Sequence, residues 1–394
     1  MVKENSVNSI INDGKSLQEV YCIPKSILCG EYNVCADIEM QMFDDDQRSG
    51  SLAKESIRHA LLRDVFVSHH GQVEDNCGNW TLPCRSVRHA VKISRPNDVI
   101  HIDYAEGRPY KECEHLIPKE NHTIMLDKSL SFYGFNGTAI LHCQETYPFF
   151  GINNSEHTTP KIVFSNLSLA SHGDLLDAIY NISSKFELEF NFCDIKRSSY
   201  FVRANSLSCS IQVLNSTIES YRDPISADCT NLTIRLNGST FFSCQIKLSS
   251  GTEFGVNYYD SKPESNVHIY DCTFNTTKKP LFCNSLVTII LGTTICNVNI
   301  KSSIFVNFYD IVGMPKSAAL LISSLIGRVE TTIVLDILRF ENIGCDSAVV
   351  YMHLLQAIAA EQFNVGIFNS MFVNTTRAFQ SYVDLYYVIP YGID

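Results

Sequence analysis

The sequence predicts an all-β fold, a right-handed parallel β-helix solenoid with a short N-terminal capping helix. One observation is an eight-residue pattern with apolar residues at its first, third and eighth positions, which recurs eight times between residues 162 and 372. A second is that turn-forming residues stand between the second and third apolar positions of most copies. A third is the interval between copies, about two to three dozen residues, which is typical of solenoids.

All eight copies have Ile, Leu or Val at the first position, and the last five have Phe at the third. In chain order they are Ile162/Phe164/Leu169, Leu188/Phe190/Ile195, Ile211/Val213/Ile218, Ile234/Leu236/Phe241, Val267/Ile269/Phe274, Val298/Ile300/Phe305, Ile333/Leu335/Phe340 and Val365/Ile367/Phe372. The turn residues are Asn166, Asn215, Gly238, Asp271, Ser302 and Asn369, whereas Phe192 and Ile337 break that column. A spacing of two is that of a β-strand, and the third apolar residue, beyond a turn, begins another short strand.

Each repeat is too small to bury its own apolar side, so the repeats must stack on one another. Helical solenoids are excluded by the period of two and by the many β-branched and aromatic residues. Parallel stacking with right-handed crossovers is the favoured arrangement. An antiparallel sandwich is the alternative, because Asn136-Gly137 and Asn237-Gly238 are hairpin dipeptides, but these do not recur between every pair of strands.

The stretch "DVFVSHHGQVEDNCGNWTLPCRSVRHAVKISRPNDVIHID", residues 64 to 103, combines a strand, a Gly/Asp/Asn loop, a Cys-Gly and Pro-Cys pair, a short helix and an Asn97-Asp98 turn. This arrangement resembles the opening of pectin-lyase-like β-helix proteins, especially secreted or surface ones. The segment 122 to 143, with Gly134 and Gly137 at corners, is similar to the early rungs of that family. The resemblance covers residues 64 to 376 and implies a fold more than an activity, because one fold hosts many functions.

A capping helix is predicted over residues 86 to 93 independently of the resemblance. Val87, Ala90 and Val91 form one apolar side at helical spacing, and basic residues face outward. We expect this helix to cover the first rung, because an open end would expose strand edges and core side chains.

The domain boundaries follow from where the repeat begins and ends. Residues 1 to 63 lack the repeat, contain the acidic run "DDDQRSGS" and are predicted to be a poorly ordered extension. The β-helix is predicted over residues 64 to 380, with a cap at 64 to 98 and rungs at 99 to 376. Residues 381 to 394 form a C-terminal segment whose abrupt end leads us to expect that the sequence is a fragment.

Charge and hydropathy argue against two classes of partner. The net charge is −11 and no basic run is longer than a Lys pair, which argues against nucleic acid. The longest apolar stretches, "SAALLISSLIG" and "AVVYMHLLQAIAA", are shorter than the roughly 18 residues that span a bilayer, so we expect no membrane-spanning segment. No signal peptide is visible at Met1.

Glycosylation acceptors nevertheless favour an extracellular or cell-surface location, because such acceptors are used in the secretory route. Eleven Asn-x-Ser/Thr triplets occur, at Asn79, Asn121, Asn136, Asn153, Asn166, Asn181, Asn215, Asn231, Asn237, Asn275 and Asn374. Corner asparagines beside small polar residues also create this triplet by chance, so both interpretations stay open.

The 15 cysteines fit either location, and their odd number leaves at least one thiol unpaired within the chain. Cys77 and Cys84 flank a short loop and are disulfide candidates. Cys193 and Cys272 lie in a repeat column, where a buried free thiol packs as a small hydrophobic group.

Enzymes of the pectin-lyase-like family cleave acidic polysaccharides, so the resemblance raises an enzyme hypothesis. The hydrolase motifs Asn-Thr-Asp, Asp-Asp, Gly-His-Gly and Arg-Ile-Lys do not occur in rung order. A lyase needs aspartates that converge on calcium and an arginine that removes a proton, and the candidates are Arg222, Asp223 and Asp228. The alternative for these three is a solvated corner with a proline turn.

His101 and Asp103 alternate on the "VIHID" strand and form a second candidate pair for acid–base chemistry. The alternative is that both are surface residues of the first rung. We expect no cofactor, because no phosphate loop, nucleophile elbow or dinucleotide fingerprint is present. We also expect no metal site, because the cysteines at 22, 29 and 35 have neither a fourth ligand nor a histidine at zinc spacing.

The predicted function is that of a non-catalytic extracellular β-helix protein whose elongated flank binds a glycan or an extracellular protein. Tyr258, Tyr259 and Tyr270 are candidates for stacking on sugars. The alternatives are a polysaccharide lyase or glycoside hydrolase that acts on acidic polysaccharide, and a purely structural stalk. Carboxylates converging on one face of adjacent rungs would favour the enzyme, whereas an aromatic-lined surface would favour binding.

Overall fold

The chain divides into two units, residues 1–61 and 62–394, and the computed structural model describes residues of the second unit. The described ranges are 63–113, 123–152, 158–179, 184–242, 245–250, 264–276, 285–292, 295–309, 317–324, 330–344, 348–357, 363–375 and 379–386. The predicted N-terminal extension, apart from residue 63, lies outside the described residues, as do Tyr258 and Tyr259.

Strands make up most of the described residues. In chain order they are β1 (Asp64–Gln72), β2 (Val99–Asp103), β3 (Tyr110–Lys111), β4 (Ile124–Leu126), β5 (Leu130–Phe135), β6 (Ala139–Cys143), β7 (Phe150–Ile152), β8 (Lys161–Ser165), β9 (Leu167–Ser171), β10 (Leu176–Ala178), β11 (Lys185–Asn191), β12 (Asp194–Ser198), β13 (Val202–Leu214), β14 (Thr217–Ser220), β15 (Ile225–Asn237), β16 (Thr240–Phe242), β17 (Ile246–Ser249), β18 (Glu264–Tyr270), β19 (Thr273–Asn275), β20 (Ser285–Leu291), β21 (Ile295–Lys301), β22 (Ile304–Tyr309), β23 (Ala318–Ser324), β24 (Glu330–Asp336), β25 (Arg339–Gly344), β26 (Val350–Ala357), β27 (Phe363–Phe368), β28 (Met371–Thr375) and β29 (Phe379–Tyr386). One α-helix, α1 (Val87–Ile93), follows β1.

The strands stack in parallel as a right-handed β-helix with three faces, which confirms the predicted fold class. Face A contains β1, β2, β5, β8, β11, β18, β21, β24 and β27, face B contains the ten strands from β3 to β28 that form a separate sheet, and face C contains β4, β7, β10, β17, β20, β23, β26 and β29. The long strands β13 and β15 run through face C into face A, so these two faces form one 19-stranded sheet. The sequence pattern covered faces A and B and missed face C.

The predicted register of faces A and B is confirmed at all eight repeats. Ile162 lies opposite Leu188, and the first apolar position continues in register to Val365. The third position runs in the same way from Leu169 to Phe372 on face B. Within that column the five Phe rings stack with centroids 4.8 to 5.2 Å apart, so they form a continuous part of the core.

The corner between faces A and B has a left-handed backbone in every one of the eight repeats. The turn residues have φ between 46° and 59°, a region that Asn, Asp and Gly occupy at little cost. Phe192 and Ile337 adopt it too, at φ 53° and 55°. The stacked strands on either side therefore impose the corner geometry even on residues that disfavour it.

Two side-chain ladders follow the corners of face B. The Ser216 hydroxyl accepts a hydrogen bond from the Cys193 amide and donates one to the Leu214 carbonyl, and Ser239 repeats this one rung on. Cys193 and Cys272, at the equivalent position, are buried free thiols, as predicted. A second ladder, which sequence analysis missed, links the side-chain amides of Asn275, Asn307, Asn342 and Asn374.

The first rung is covered by α1. Val87, Ala90 and Val91 belong to the same core cluster as the strands. The helix begins after Ser86, whose hydroxyl accepts a hydrogen bond from the His89 amide. The buried Glu112 carboxylate accepts hydrogen bonds from the Val87 and Arg88 amides, at 2.7 and 3.2 Å. These partners satisfy the free amides of the first helical turn.

Three disulfides lie within the described residues: Cys77–Cys84, Cys113–Cys143 and Cys209–Cys229. Cys193 and Cys272 are buried free thiols in the same part of the chain, and the Cys296 side chain is also buried. Among the described residues, no helix has the length and apolarity that a membrane crossing needs. Strand β29 ends at Tyr386, beyond residue 380, where we placed the end of the β-helix.

Candidate functional site

Five aromatic side chains form a continuous group at the N-terminal end of face A. Phe66, His101 and Tyr133 occupy opposed outward positions on β1, β2 and β5. Phe135 also lies on β5, and Trp80 belongs to the loop between β1 and α1. We call these five residues the aromatic surface.

Ring contacts hold the aromatic surface together. The Phe66 and His101 rings are stacked, with centroids 5.0 Å apart. The Trp80 ring is perpendicular to the rings of Phe66 and Phe135, at centroid distances of 5.2 and 5.5 Å. Trp80 and Tyr133 remain 55% and 42% exposed. A large apolar area is therefore presented to solvent on side chains that packing already orients.

A hydrogen-bonded histidine lies at the centre of the aromatic surface. His101 Nε2 is 2.7 Å from Asp64 Oδ1 on the neighbouring strand. The partner of His101 is therefore Asp64, and not Asp103 as the alternation on β2 had suggested. His101 Nδ1 is buried and has no hydrogen-bond partner among the described residues. The carboxylate and the stacked Phe66 ring together fix the plane of the imidazole.

A second aromatic pair lies farther along face A. Tyr270, one of the three predicted sugar-stacking tyrosines, stacks on His268 with centroids 5.9 Å apart, and its hydroxyl lies 3.2 Å from His268 Nδ1. Burial lowers the pKa of His268, and the positive charge of Arg235 lowers it further. Both effects favour the neutral form of the His268 imidazole.

Tyr133 and Tyr270 belong to one outward column of face A. The positions between them are Ser165, Asn191, Leu214 and Asn237. Five strand steps separate the two tyrosines, which is about 24 Å at the usual spacing of parallel strands. The column is thus aromatic at both ends and mainly small and polar between them.

Charged side chains converge on face C and on the turns that lead into it. Asp177, Arg203 and Lys247 lie on the strands β10, β13 and β17, with Asp177 directly opposite Arg203. Asp174, Arg222 and Asp223 lie in the turns beside these strands. We call these six residues the charged cluster. Arg203 Nη1 is 3.8 Å from Asp174 Oδ2, and the Arg203 guanidinium lies 5.7 Å from the centre of the Tyr200 ring.

Asp177 is the most perturbed carboxylate of the charged cluster. It is only 4% exposed, and its Oδ1 has no hydrogen-bond partner among the described residues. Burial raises its pKa to about 6, against the opposing effect of Arg203, and Asp174 raises it further. Burial also raises the pKa of Asp174 and of Asp223, although Arg203 opposes the shift at Asp174 and Lys247 opposes it at Asp223. A carboxylate with a pKa near 6 is able to hold a proton under mildly acidic conditions.

The structure brings two of the three predicted catalytic candidates into the charged cluster. Arg222 and Asp223 lie in the turn between β14 and β15, and the positive charge of Arg222 acts on both Asp174 and Asp223. Asp228 lies on β15, opposite Asn205 of β13. Sequence analysis missed Asp174, Asp177, Arg203 and Lys247, because their proximity depends on the register of face C.

The described residues do not contain a group of three or more His, Cys, Asp or Glu side chains suited to a metal ion. The charged cluster instead mixes three carboxylates with three cationic side chains. Such a mixture is suited to binding a charged polar ligand or to moving a proton.

The glycosylation candidates fall into distinct environments. Asn79, Asn136, Asn215 and Asn374 are exposed, and Asn231, Asn237 and Asn275 are partly buried. The Asn166 side-chain amide donates to the carbonyls of Gly134 and Gly137, so both of its hydrogens are engaged. Asn121, Asn153 and Asn181 lie outside the described residues.

The fold thus defines the class of the protein, a right-handed parallel β-helix with two distinct surface features, the aromatic surface and the charged cluster. Neither a protein-family model nor a curated protein matches this chain. Its function must therefore be argued from these two features.

Proposed function

We propose that the chain is a non-catalytic extracellular β-helix protein of the pectin-lyase-like type that binds a glycan along face A. The observation behind the proposal is the aromatic surface, in which Trp80 and Tyr133 are exposed but held by ring contacts. Rigid aromatic rings stack on the apolar faces of sugar rings at a small cost in conformational entropy.

The column from Tyr133 to Tyr270 supports a glycan over a protein partner. A protein interface centres on a buried apolar patch, whereas Ser165, Asn191 and Asn237 between the aromatic ends supply hydrogen-bonding groups. A saccharide chain presents hydroxyls along its length and ring faces at intervals, which fits this alternation. Disulfides and exposed glycosylation acceptors support an extracellular location.

The experiment is a glycan-array incubation of the secreted chain, followed by calorimetry with any glycan that is retained. Trp80→Ala and Tyr133→Ala should each weaken binding about fivefold, because one lost stacking contact costs about 1 kcal/mol. Phe192→Ala is the matched control, since Phe192 is an exposed aromatic residue at a corner outside the aromatic surface. Equal binding by the parent and both variants would refute this site.

Cleavage of an acidic polysaccharide is a second candidate function, favoured by the charged cluster. Its carboxylates and cations lie on adjacent turns, and Asp177 has the raised pKa expected of a proton donor. Arg203, Arg222 and Lys247 would bind the carboxylates of such a substrate.

Mass spectrometry of acidic polysaccharides incubated with the chain tests this second candidate. If the chain cleaves the polysaccharide, shortened or unsaturated oligosaccharides are released. Loss of this release in Asp177→Asn, but not in Asp271→Asn, would establish cleavage and overturn the non-catalytic proposal. Asp271 is a suitable control because its carboxylate is exposed at a face A corner. A chain that neither binds nor cleaves a glycan would leave the structural stalk as the better explanation.

A further inference from the structure

The chain contains two Asn-Gly pairs, Asn136-Gly137 and Asn237-Gly238. In such a pair the glycine has no side chain to obstruct its own amide nitrogen, which can therefore attack the side-chain carbonyl of the asparagine. The attack closes a succinimide ring, which water then opens. Whether a given pair reacts depends on whether the folded chain leaves that nitrogen free to move.

Asn136 and Gly137 form a corner between β5, which ends at Phe135, and β6, which begins at Ala139. Asn136 is exposed and has a left-handed backbone, with φ 61°, and Gly137 has φ 141°. Among the described residues, the Gly137 amide nitrogen has no hydrogen-bond partner. Both reacting groups are therefore accessible, and no strand ladder fixes the peptide group between them.

The second pair has the same two residues one position earlier relative to its corner. Asn237 is the last residue of β15 and lies in register between Leu214 of β13 and Tyr270 of β18. The Gly238 amide donates a hydrogen bond to the Tyr270 carbonyl at 3.1 Å. The Asn237 carbonyl accepts one from the Asn215 amide at 2.9 Å. Both polar groups of the peptide unit that would have to rotate are therefore held by neighbouring turns.

The corner at Asn136 is clamped on both sides of the Asn-Gly pair. The Asn166 side-chain amide donates to the carbonyls of Gly134 and Gly137, at 3.0 and 3.2 Å. The Thr138 hydroxyl donates to the side-chain oxygen of Asn166 at 3.0 Å. The Tyr104 ring closes the space around Gly137, where a side-chain carbon would lie 2.8 Å from Tyr104 Cγ. A main chain that is one atom longer at this corner cannot keep all of these contacts.

We propose that Asn136 is a modification site, which the folded chain converts to aspartate and isoaspartate without an enzyme, whereas Asn237 is protected. The Gly137 nitrogen bonds to Asn136 Cγ as the bond from Cγ to Nδ2 breaks, and the displaced nitrogen leaves with the amide proton as ammonia. Water then cleaves one of the two bonds from the ring nitrogen to a carbonyl carbon. Cleavage at Cγ gives aspartate, and cleavage at the main-chain carbonyl carbon gives isoaspartate.

Both products change the border of the aromatic surface. Each carries a carboxylate on the residue that follows Phe135, where the neutral side-chain amide stood before. The isoaspartate product also extends the main chain by one atom, because its peptide link runs through Cγ. Isoaspartate therefore loosens the corner that Asn166 and Tyr104 hold.

The test is an incubation of the 394-residue chain in mildly alkaline water labelled with a heavy oxygen isotope, followed by peptide mapping. The chain is secreted into a bacterial periplasm, where disulfides form and the Asn136 acceptor receives no glycan. We expect the label to enter Asn136 at least about tenfold faster than Asn237, because the Gly238 amide reacts only after local opening. The control is the reduced chain unfolded in guanidinium, in which the two rates should become similar.

Equal rates for the two asparagines in the folded chain would overturn the proposal, as would an Asn136 that reacts only in the unfolded chain. Thermal unfolding tests the effect on the corner. The isoaspartyl form, separated by ion exchange, should unfold at a lower temperature than Asn136→Asp, which carries the same charge on a main chain of normal length. Equal unfolding temperatures would refute the loosening of the corner.

Discussion

Truncation of one ring in the Phe column tests whether these stacked rings form the core of the β-helix. Phe274 is almost fully buried, and its ring centroid lies 5.2 Å from that of Phe241 and 4.9 Å from that of Phe305. Replacing a buried Phe by Ala costs about 3–5 kcal/mol in transfer free energy and residual cavity. Two neighbouring rings each lose a stacking partner worth about 0.5–1.5 kcal/mol, which places Phe274→Ala towards the upper end of that range.

The assay is urea unfolding of the chain, expressed through a secretory route, followed by circular dichroism. His268→Ala, on the outer face of β18, is the control and should cost less than about 1 kcal/mol. Because neighbouring rungs unfold together in a solenoid, the loss should appear as an earlier transition and not as a local change. A change in the free energy of unfolding below about 1 kcal/mol for Phe274→Ala would refute the stacked-column explanation.

Three other predictions concern strain, protonation and modification. Ile337→Asn should stabilise the chain by about 1 kcal/mol in the same assay, since it relieves a β-branched residue at φ 55°, and a loss of stability would contradict this. Asp177→Asn should raise the free energy of unfolding by about 3 kcal/mol at pH 7 and change it little at pH 4. The pKa of Asp177 is about 6 in the folded chain and 3.8 in its usual state, so the burial of this carboxylate lowers stability increasingly as the pH rises between those values. A gain in stability that does not depend on pH would exclude deprotonation of Asp177 as the cause. Glycopeptide mapping should find a glycan on Asn79 but none on Asn166, whose amide hydrogens are both engaged, and an occupied Asn166 would contradict the hydrogen bonds described.

The register of faces A and B could be predicted because the corner between them hardly varies in length. From β11 onward, two residues separate each face A strand from the face B strand that follows it. The apolar residues on either side therefore recur at one spacing, and a local pattern is enough to align distant rungs. Even the exceptional residues Phe192 and Ile337 keep this spacing and this backbone conformation.

Face C could not be predicted, because the connections that flank it vary widely. No residue separates faces C and A within β13, whereas fourteen residues separate β17 from β18. Because these connections vary in length, the sequence position of a face C residue does not show on which turn of the β-helix it lies. Arg222 and Asp223 could therefore be selected as catalytic candidates from their residue types, but their neighbours Asp177 and Arg203 could not be recognised as neighbours.

The sequence by itself determined that this chain stacks short strands in parallel, because the local alternation of apolar residues and the invariant corner express the fold within each repeat. Only the tertiary structure decided which surface residues meet. Trp80 reaches Phe66 and Phe135 from a loop, and Asp177 reaches Arg203 across a strand step. Such contacts join residues of different turns, and their proximity is set by connections of irregular length that no local pattern records.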